Sequence, residues 1–372
     1  MSELNHNQTS RAAIRRNLLL TASALALATS IGGLDNALAD ETDRPTVWVE
    51  LGGQMEFMQG TSSLLTPPFV FISPTPGSYK PESLIDTQQP PHRAFGLEGS
   101  FSFQPESSDW VFFARLRYGR AHLNRHVHHQ TAVFYTYSVP RQKYVAEFTD
   151  TKNRVEESHT ILDFEAGHDV GLGLFGRYGK STISGGVRFA QFSSHSSLDI
   201  DARPTVDLVP FTPSSPGALP AFDQHKLGAH AERSFRGIGP EVSWNASAAL
   251  LGNPDHAELA ADWGINAALL FGRQKARTDH RTADYHFTYF GSDHYAEVYP
   301  AHSGAANRSR STVVPNLGGF AGLSLNYPNA KVSFGYRADF FFGAVDAGFD
   351  TRHTKDLGFH GPFATISIGL GG

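Results

Sequence analysis

The sequence predicts an all-β fold, an antiparallel transmembrane β-barrel of about ten strands. About ten segments of ten or more residues alternate apolar with small or charged side chains, and the connections between them alternate short and long. A barrel in lipid needs this division, because its outer face meets hydrocarbon, its lumen holds polar groups, and closure satisfies the backbone. The first residues also predict an export signal, so we expect the barrel in an outer membrane.

The first 39 residues have the three parts of a secretory signal peptide. Three arginines lie within residues 11–16, an apolar stretch of about fourteen residues begins at Leu18, and residues 37–39 form a small-x-small cleavage site. The apolar stretch is too short for a spanning helix, which needs about twenty residues. We therefore predict a signal peptide over 1–39 and one outer-membrane barrel domain over 40–372; a soluble amphipathic helix is the alternative for the apolar stretch.

Composition excludes several classes of protein. A net charge of −5 argues against a nucleic-acid partner, and a mean hydropathy of −0.28 is that of half-polar strands rather than of a helical membrane protein. The chain has no Cys. Disulfides and thiolate metal sites are therefore excluded, and closure of the sheet has to supply the stability.

The alternation defines ten strands. In the second predicted strand, Phe95, Leu97 and Phe101 share one face, whereas Glu98 and Ser100 lie on the other. The predicted strands are 46–58, 93–104, 109–121, 155–168, 181–197, 232–245, 258–275, 311–326, 331–343 and 357–370.

The connections set the topology. Those at 105–108, 169–180, 246–257 and 327–330 are short or moderate, and those at 59–92, 122–154, 198–231 and 276–310 are long. Outer-membrane barrels have short periplasmic turns and long extracellular loops, and an even strand count leaves both termini in the periplasm. Parts of the second and fourth long loops also look like strands, so either hairpins extend above the membrane or the barrel has twelve strands.

The four tryptophans predict an aromatic girdle. Trp48, Trp110, Trp244 and Trp263 all fall near strand ends that this topology assigns to the periplasmic side, where an amphipathic ring sits best. The alternative is that they fill the core of a soluble β-sandwich, which shows the same alternation.

The same register directs charged side chains into the lumen, since a basic residue facing lipid at mid-membrane would cost about 2–4 kcal/mol. The charges either pair across a narrow barrel or line a water-filled constriction. The pore-lining candidates are Glu98, Arg115, Arg117, Asp163, Glu165, Arg188, Asp262, Arg337 and Asp339; Glu50, Glu56 and Lys331 share their face.

Two further kinds of site are weaker. His126, His128 and His129 lie close together and suit Zn²⁺ or Cu²⁺, but a solvated loop is the favoured interpretation, so no metal or other cofactor is predicted. His159, Asp163, His195 and Asp199 suit a catalytic set, as do many other combinations, and neither G-x-S-x-G nor H-E-x-x-H occurs. We therefore predict no enzymatic activity.

Four short stretches resemble the Legionella-type major outer membrane protein family. They are PNAKVSFGYRADFF at 328–341, GFHGPF at 358–363, GVRFAQ at 186–191 and GIGPE at 237–241. The resemblance implies an outer-membrane pore with Arg188, Arg337 and Asp339 at lumen-facing positions. The chain departs from the family in lacking cysteines, so disulfide-linked oligomers are not carried over, and in lacking a terminal aromatic residue.

The predicted function is a porin-like channel for passive diffusion of small solutes. The alternatives are a closed structural or adhesin-type barrel, favoured if ion pairs fill the lumen, and a barrel enzyme with its site at the rim. The expected partners are outer-membrane lipid and lipopolysaccharide, the barrel-assembly machinery, small solutes and, as an open alternative, further copies of the chain.

Overall fold

The computed structural model describes twelve β-strands. The described residues are 46–59, 92–106, 108–136, 143–170, 180–203, 206–210, 218–253, 256–290, 293–298, 302–349 and 351–370. The strands are β1 (Thr46–Gln59), β2 (His92–Gln104), β3 (Trp110–Thr136), β4 (Lys143–Asp169), β5 (Lys180–Arg203), β6 (Val206–Pro210), β7 (Ala218–Asn253), β8 (Ala257–Phe290), β9 (Asp293–Val298), β10 (His302–Tyr327), β11 (Ala330–Asp346) and β12 (Thr354–Leu370). The predicted signal peptide and the first long loop lie outside these residues.

Ten of the strands close into one antiparallel barrel. They follow the order β1-β2-β3-β4-β5-β7-β8-β10-β11-β12, and β12 pairs back onto β1. The short strands β6 and β9 pair only with β7 and β8, so they extend hairpins and do not enter the closed ring. The prediction of a ten-stranded antiparallel barrel is confirmed, and twelve strands occur only in this restricted sense. Among the described residues, no helix has the length and hydrophobicity needed to cross a bilayer.

The two faces of the sheet divide as the alternation predicts. Leu97 and Phe95 on the outer face are 65% and 76% exposed, whereas Glu98 between neighbouring outward positions is buried. The apolar face is thus the exposed one and the charged face is enclosed. This is the reverse of a soluble β-sandwich, whose apolar faces pack together, so that alternative is wrong.

The strands are much longer than predicted. Most of the predicted loops 122–154, 198–231 and 276–310 consists of paired strand, and β7 alone has 36 residues. About 9–11 residues suffice to cross the hydrocarbon core. The sheet therefore continues well beyond the membrane on its extracellular side, where polar outward residues replace apolar ones and the hydropathy signal that marked the strands is lost.

Candidate functional site in the barrel lumen

The lumen is crossed by a network of ion pairs at mid-height, which we call the septum. Its members are Glu98, Arg117, Asp163, Arg188, Glu241, Arg337 and Asp339, all enclosed and each less than about a tenth exposed. Each of these side chains lies at a lumen-facing position in the alternating pattern of its strand. The strands place three cations and four carboxylates opposite one another across a barrel only slightly wider than one that side chains fill.

Arg188 is the centre of the septum. Its guanidinium donates to both carboxylate oxygens of Asp163, at 2.7 and 3.0 Å, and also pairs with Glu241 on the next strand. It reaches Asn266 Oδ1 on β8 at 2.8 Å and bonds Asn316 on β10. The side chain is 0% exposed. One guanidinium thus links five strands, from β4 to β10.

Two further pairs join non-neighbouring walls. Arg117 on β3 donates to Asp339 Oδ2 on β11 at 2.5 Å, and Arg337 on β11 bonds Glu98 on β2. Three strands separate β3 from β11, and two separate β11 from β2. These bonds therefore span the lumen and do not merely run along its wall.

An apolar layer lies on the extracellular side of the septum. Phe192, Phe235, Phe341 and Phe359 belong to one buried cluster of side chains. The ring centroids of Phe192 and Phe341 are 4.6 Å apart, and those of Phe192 and Phe359 are 5.6 Å apart. The lumen at this level is a packed hydrophobic core.

The end of β11 and the residues that follow it fold into the extracellular mouth above this layer. Gly343 has φ +67° and the β11–β12 register shifts after Phe341, a bulge that bends the strand inward. Residues 344–349, here called the mouth segment, are all buried. Phe349 packs in a second apolar cluster with Leu198, Ile200 and Leu227.

Two arginines hold the mouth segment through its backbone. Arg233 donates to the carbonyl oxygens of Asp346 and Ala347 at 3.0 and 3.2 Å. Arg308 donates to the carbonyl oxygens of Gly348 and Phe349, both at 2.6 Å, and to the Asp346 carboxylate at 2.8 Å. Burial lowers the pKa of the Arg233 guanidinium. The segment is fixed as part of the fold.

The periplasmic half of the lumen is more open. A cavity of about 230 Å³ is lined by charged groups that include Glu50, Arg115, Asp262, Lys331 and Arg337. Lys331 Nζ lies 2.6 Å from Asp262 Oδ2. This vestibule reaches the septum at Arg337, and the side chains of the septum and of the apolar layer beyond it are buried.

All nine pore-lining candidates lie on the lumen face, Arg115 and Asp262 beside the vestibule and Glu165 bonded to Ser243. Their role in conduction stays a prediction. Sequence reasoning missed Glu241, Asn266 and Asn316, which complete the shell around Arg188. All three lie at lumen-facing positions in the alternating pattern of their strands, and that pattern was the signal that could have identified them.

The tryptophans do not all share one face. Trp110, Trp244 and Trp263 occupy outward positions near the periplasmic end, and Trp110 is 51% exposed. Trp48 is in register with Ser102 and Gly369 on the lumen side. Trp48 lies on the same face of β1 as Glu50 and on the opposite face from the outward Leu51. It is therefore not part of an outward aromatic girdle.

The histidine candidates are dispersed. His126 Nε2 lies 2.5 Å from Asp150 Oδ1, and His128 stacks on Phe148. Among the described residues, the one group with metal-ligand spacing is Asp163, Glu165 and Glu241. Arg188 pairs with Asp163 and Glu241, and Glu165 bonds Ser243. The structure therefore does not bring the predicted histidines together as a metal site.

The proposed catalytic set is also separated. His159 is buried in the lumen 3.4 Å from Glu56, whereas His195 lies on the outer face 3.5 Å from Glu232. Among the described residues on the extracellular side, two His/Asp pairs do lie within hydrogen-bond distance. His126 with Asp150 faces outward, and His225 with Asp284, at 2.7 Å, faces the lumen. Because the pairs lie on opposite faces of the sheet, they do not form one site.

A sequence model described as the Legionella pneumophila major outer membrane protein precursor matches residues 51–369. No curated protein matches the chain. Among solved structures, the outer membrane protease OmpT from Escherichia coli is similar with TM-score 0.37 and 9% identity, over 90% of this chain and 99% of that one. The translocator domain of the autotransporter NalP from Neisseria meningitidis is similar with TM-score 0.29 and 11% identity, over 97% of both chains.

Proposed function

The chain belongs to the Legionella major outer membrane protein family and is an outer-membrane barrel, and we propose that it is a closed barrel that serves at the cell surface without conducting solutes. The septum is the observation that carries this proposal. Its ion pairs join non-neighbouring strands across the lumen, and the buried apolar layer and mouth segment on its extracellular side support the same proposal.

The buried charges have a structural purpose in this proposal. Buried ion pairs seldom add net stability over apolar residues of the same size. A gain in folding stability alone therefore does not explain why the lumen holds these charges. A one-residue slip in register would turn every septum charge toward lipid. The charges thus specify which face of each strand is enclosed.

The test is electrical. Purified, folded protein reconstituted in planar bilayers should give no steady conductance steps, and vesicles containing it should not swell in small sugars. A variant that deletes the mouth segment, residues 344–349, and also removes a wall-to-wall pair and two rings by Arg117→Ala/Asp339→Ala/Phe192→Ala/Phe341→Ala should conduct, which shows that the assay detects an open barrel of this size. Steady steps from the wild-type protein would overturn the proposal.

A passive pore for small solutes is the second candidate. The charged vestibule of about 230 Å³ favours it, as does the pore that the family resemblance implies. In that case wild-type protein conducts, and Arg337→Ala changes conductance or ion selectivity because Arg337 lines the vestibule and bonds Glu98.

We expect no hydrolytic activity. The two extracellular His/Asp pairs are cross-strand pairs on separate faces, and each is accounted for as a pair that joins neighbouring strands. The expectation would be contradicted if the wild-type protein had a measurable peptidase or esterase activity that His225→Ala lost and His126→Ala retained. That result would assign a catalytic site at the rim.

A further inference from the structure

The outer face of four neighbouring strands changes from apolar to basic within one step of register. Phe189, Ile238, Phe271 and Val313 lie side by side across β5, β7, β8 and β10. The next outward row toward the extracellular end is Gln191, Arg236, Arg273 and Ser311. The following two outward positions on β8 are Lys275 and Arg277. We call Arg236, Arg273, Lys275 and Arg277 the basic patch.

Arg277 of the basic patch is directly opposite Glu232 on β7, whereas Arg236, Arg273 and Lys275 are opposite no acidic residue. All four side chains are exposed, and none lies within ion-pair distance of a described carboxylate. Arg273 Nε donates to Ser309 Oγ at 2.6 Å, and the Arg236 guanidinium lies 5.2 Å from the centre of the Phe189 ring. Both contacts hold the guanidiniums beside the sheet while leaving most of their donors unused.

Two outward cations on other strands are instead paired with a carboxylate. On β3 and β4, Arg120 and Arg154 lie 3.7 and 2.7 Å from the Glu156 carboxylate. Within the basic patch, in contrast, Arg236 and Arg273 are directly opposite each other on adjacent strands. Like charges in that position repel, so an anion from outside the chain would stabilise them.

The position of the patch identifies the anion. It follows the last apolar row on the extracellular side, which is the depth at which headgroup phosphates of the outer leaflet lie. We propose that the basic patch binds the phosphorylated headgroup of an outer-leaflet glycolipid, with an acyl chain lying along Phe189, Ile238 and Phe271. A free phosphate would use the cations but not the apolar row, so the juxtaposition favours the lipid. Arginine suits this role because its planar donors bind phosphate in pairs.

The test measures glycolipid bound to the intact barrel. Arg236→Gln/Arg273→Gln removes two patch cations, and Arg120→Gln/Arg154→Gln removes the same charge from an ion-paired outward site. Folding of each is checked by the gel mobility shift of heat-treated against unheated protein. Delipidated wild-type protein in detergent should bind a bisphosphorylated lipid A, and the patch variant should bind it on the order of tenfold more weakly. The control variant should match the wild type.

Two further arms identify the source of the phosphate. Dephosphorylated lipid A should bind the wild-type protein as weakly as bisphosphorylated lipid A binds the patch variant, and inorganic phosphate at the same concentration should not compete. Equal lipid binding by the patch variant and the wild type would overturn the proposal, as would full competition by inorganic phosphate. Because the readout is lipid binding, it is independent of whether the lumen conducts.

Discussion

Replacing Arg188 by methionine should destabilise the barrel strongly. The substitution keeps a long, flexible side chain but removes the buried cation that pairs with Asp163 and Glu241. Glu241 is then left without its ion-pair partner, and Asp163 keeps only Arg117, 3.6 Å away. Removing one partner of a buried ion pair typically costs about 3–5 kcal/mol. We expect a loss in that range for Arg188→Met, since it also removes the donors to Asn266 and Asn316.

The assay is the free energy of unfolding in urea of protein refolded in lipid vesicles. Arg188→Met/Asp163→Asn/Glu241→Gln should recover about half or more of the loss, because no ion then stays uncompensated. Arg154→Met, at the exposed pair with Glu156, is the matched control and should change stability by less than about 1 kcal/mol. The reasoning fails if Arg188→Met costs no more than the control, or if the triple variant is as unstable as the single one.

Three other changes test separate parts of the structure. Leu97→Arg, on the lipid face, should cost up to about 2–4 kcal/mol in vesicle unfolding, whereas Leu97→Phe should not; equal stability would show that this face does not meet lipid. Gly239→Ala places a Cβ 1.9 Å from the Leu269 carbonyl oxygen and should cost about 1–3 kcal/mol, while Gly99→Ala meets its nearest atom at 3.7 Å and serves as the neutral comparison. The hydrogen bond from Arg154 lowers the pKa of the Glu156 carboxyl, so the stability lost in Glu156→Gln should be present above about pH 4.3 and vanish as the pH falls through the folded pKa. It should stay below about 1 kcal/mol, because the pair is largely exposed; urea midpoints of both proteins from pH 7 to pH 3 measure it, and a difference that grows on acidification would contradict the sign.

The prediction of strand positions succeeded within the membrane and failed beyond it. Residues 93–104 lie in β2 with the predicted faces. Their side chains alternate between apolar ones that face lipid and polar ones that face the lumen, and this period of two is visible in the sequence. Residues 122–154 were assigned to a loop, yet 122–136 continue β3 and 143–154 belong to β4. Both faces of these extensions carry many polar residues, so no apolar stripe marks them, and cross-strand pairing alone determines their structure.

The sequence by itself determined which side of each membrane strand is enclosed, since alternation acts between residues two apart in one segment. It therefore placed Arg117, Arg188 and Asp339 in the lumen. Only the tertiary structure decided that Arg117 meets Asp339 and that Arg188 meets Glu241 and Asn316. Those partners lie on strands distant in the chain, and closure and stagger of the whole barrel set their relative height. Whether the enclosed charges line water or bond one another is for that reason a property of the closed sheet.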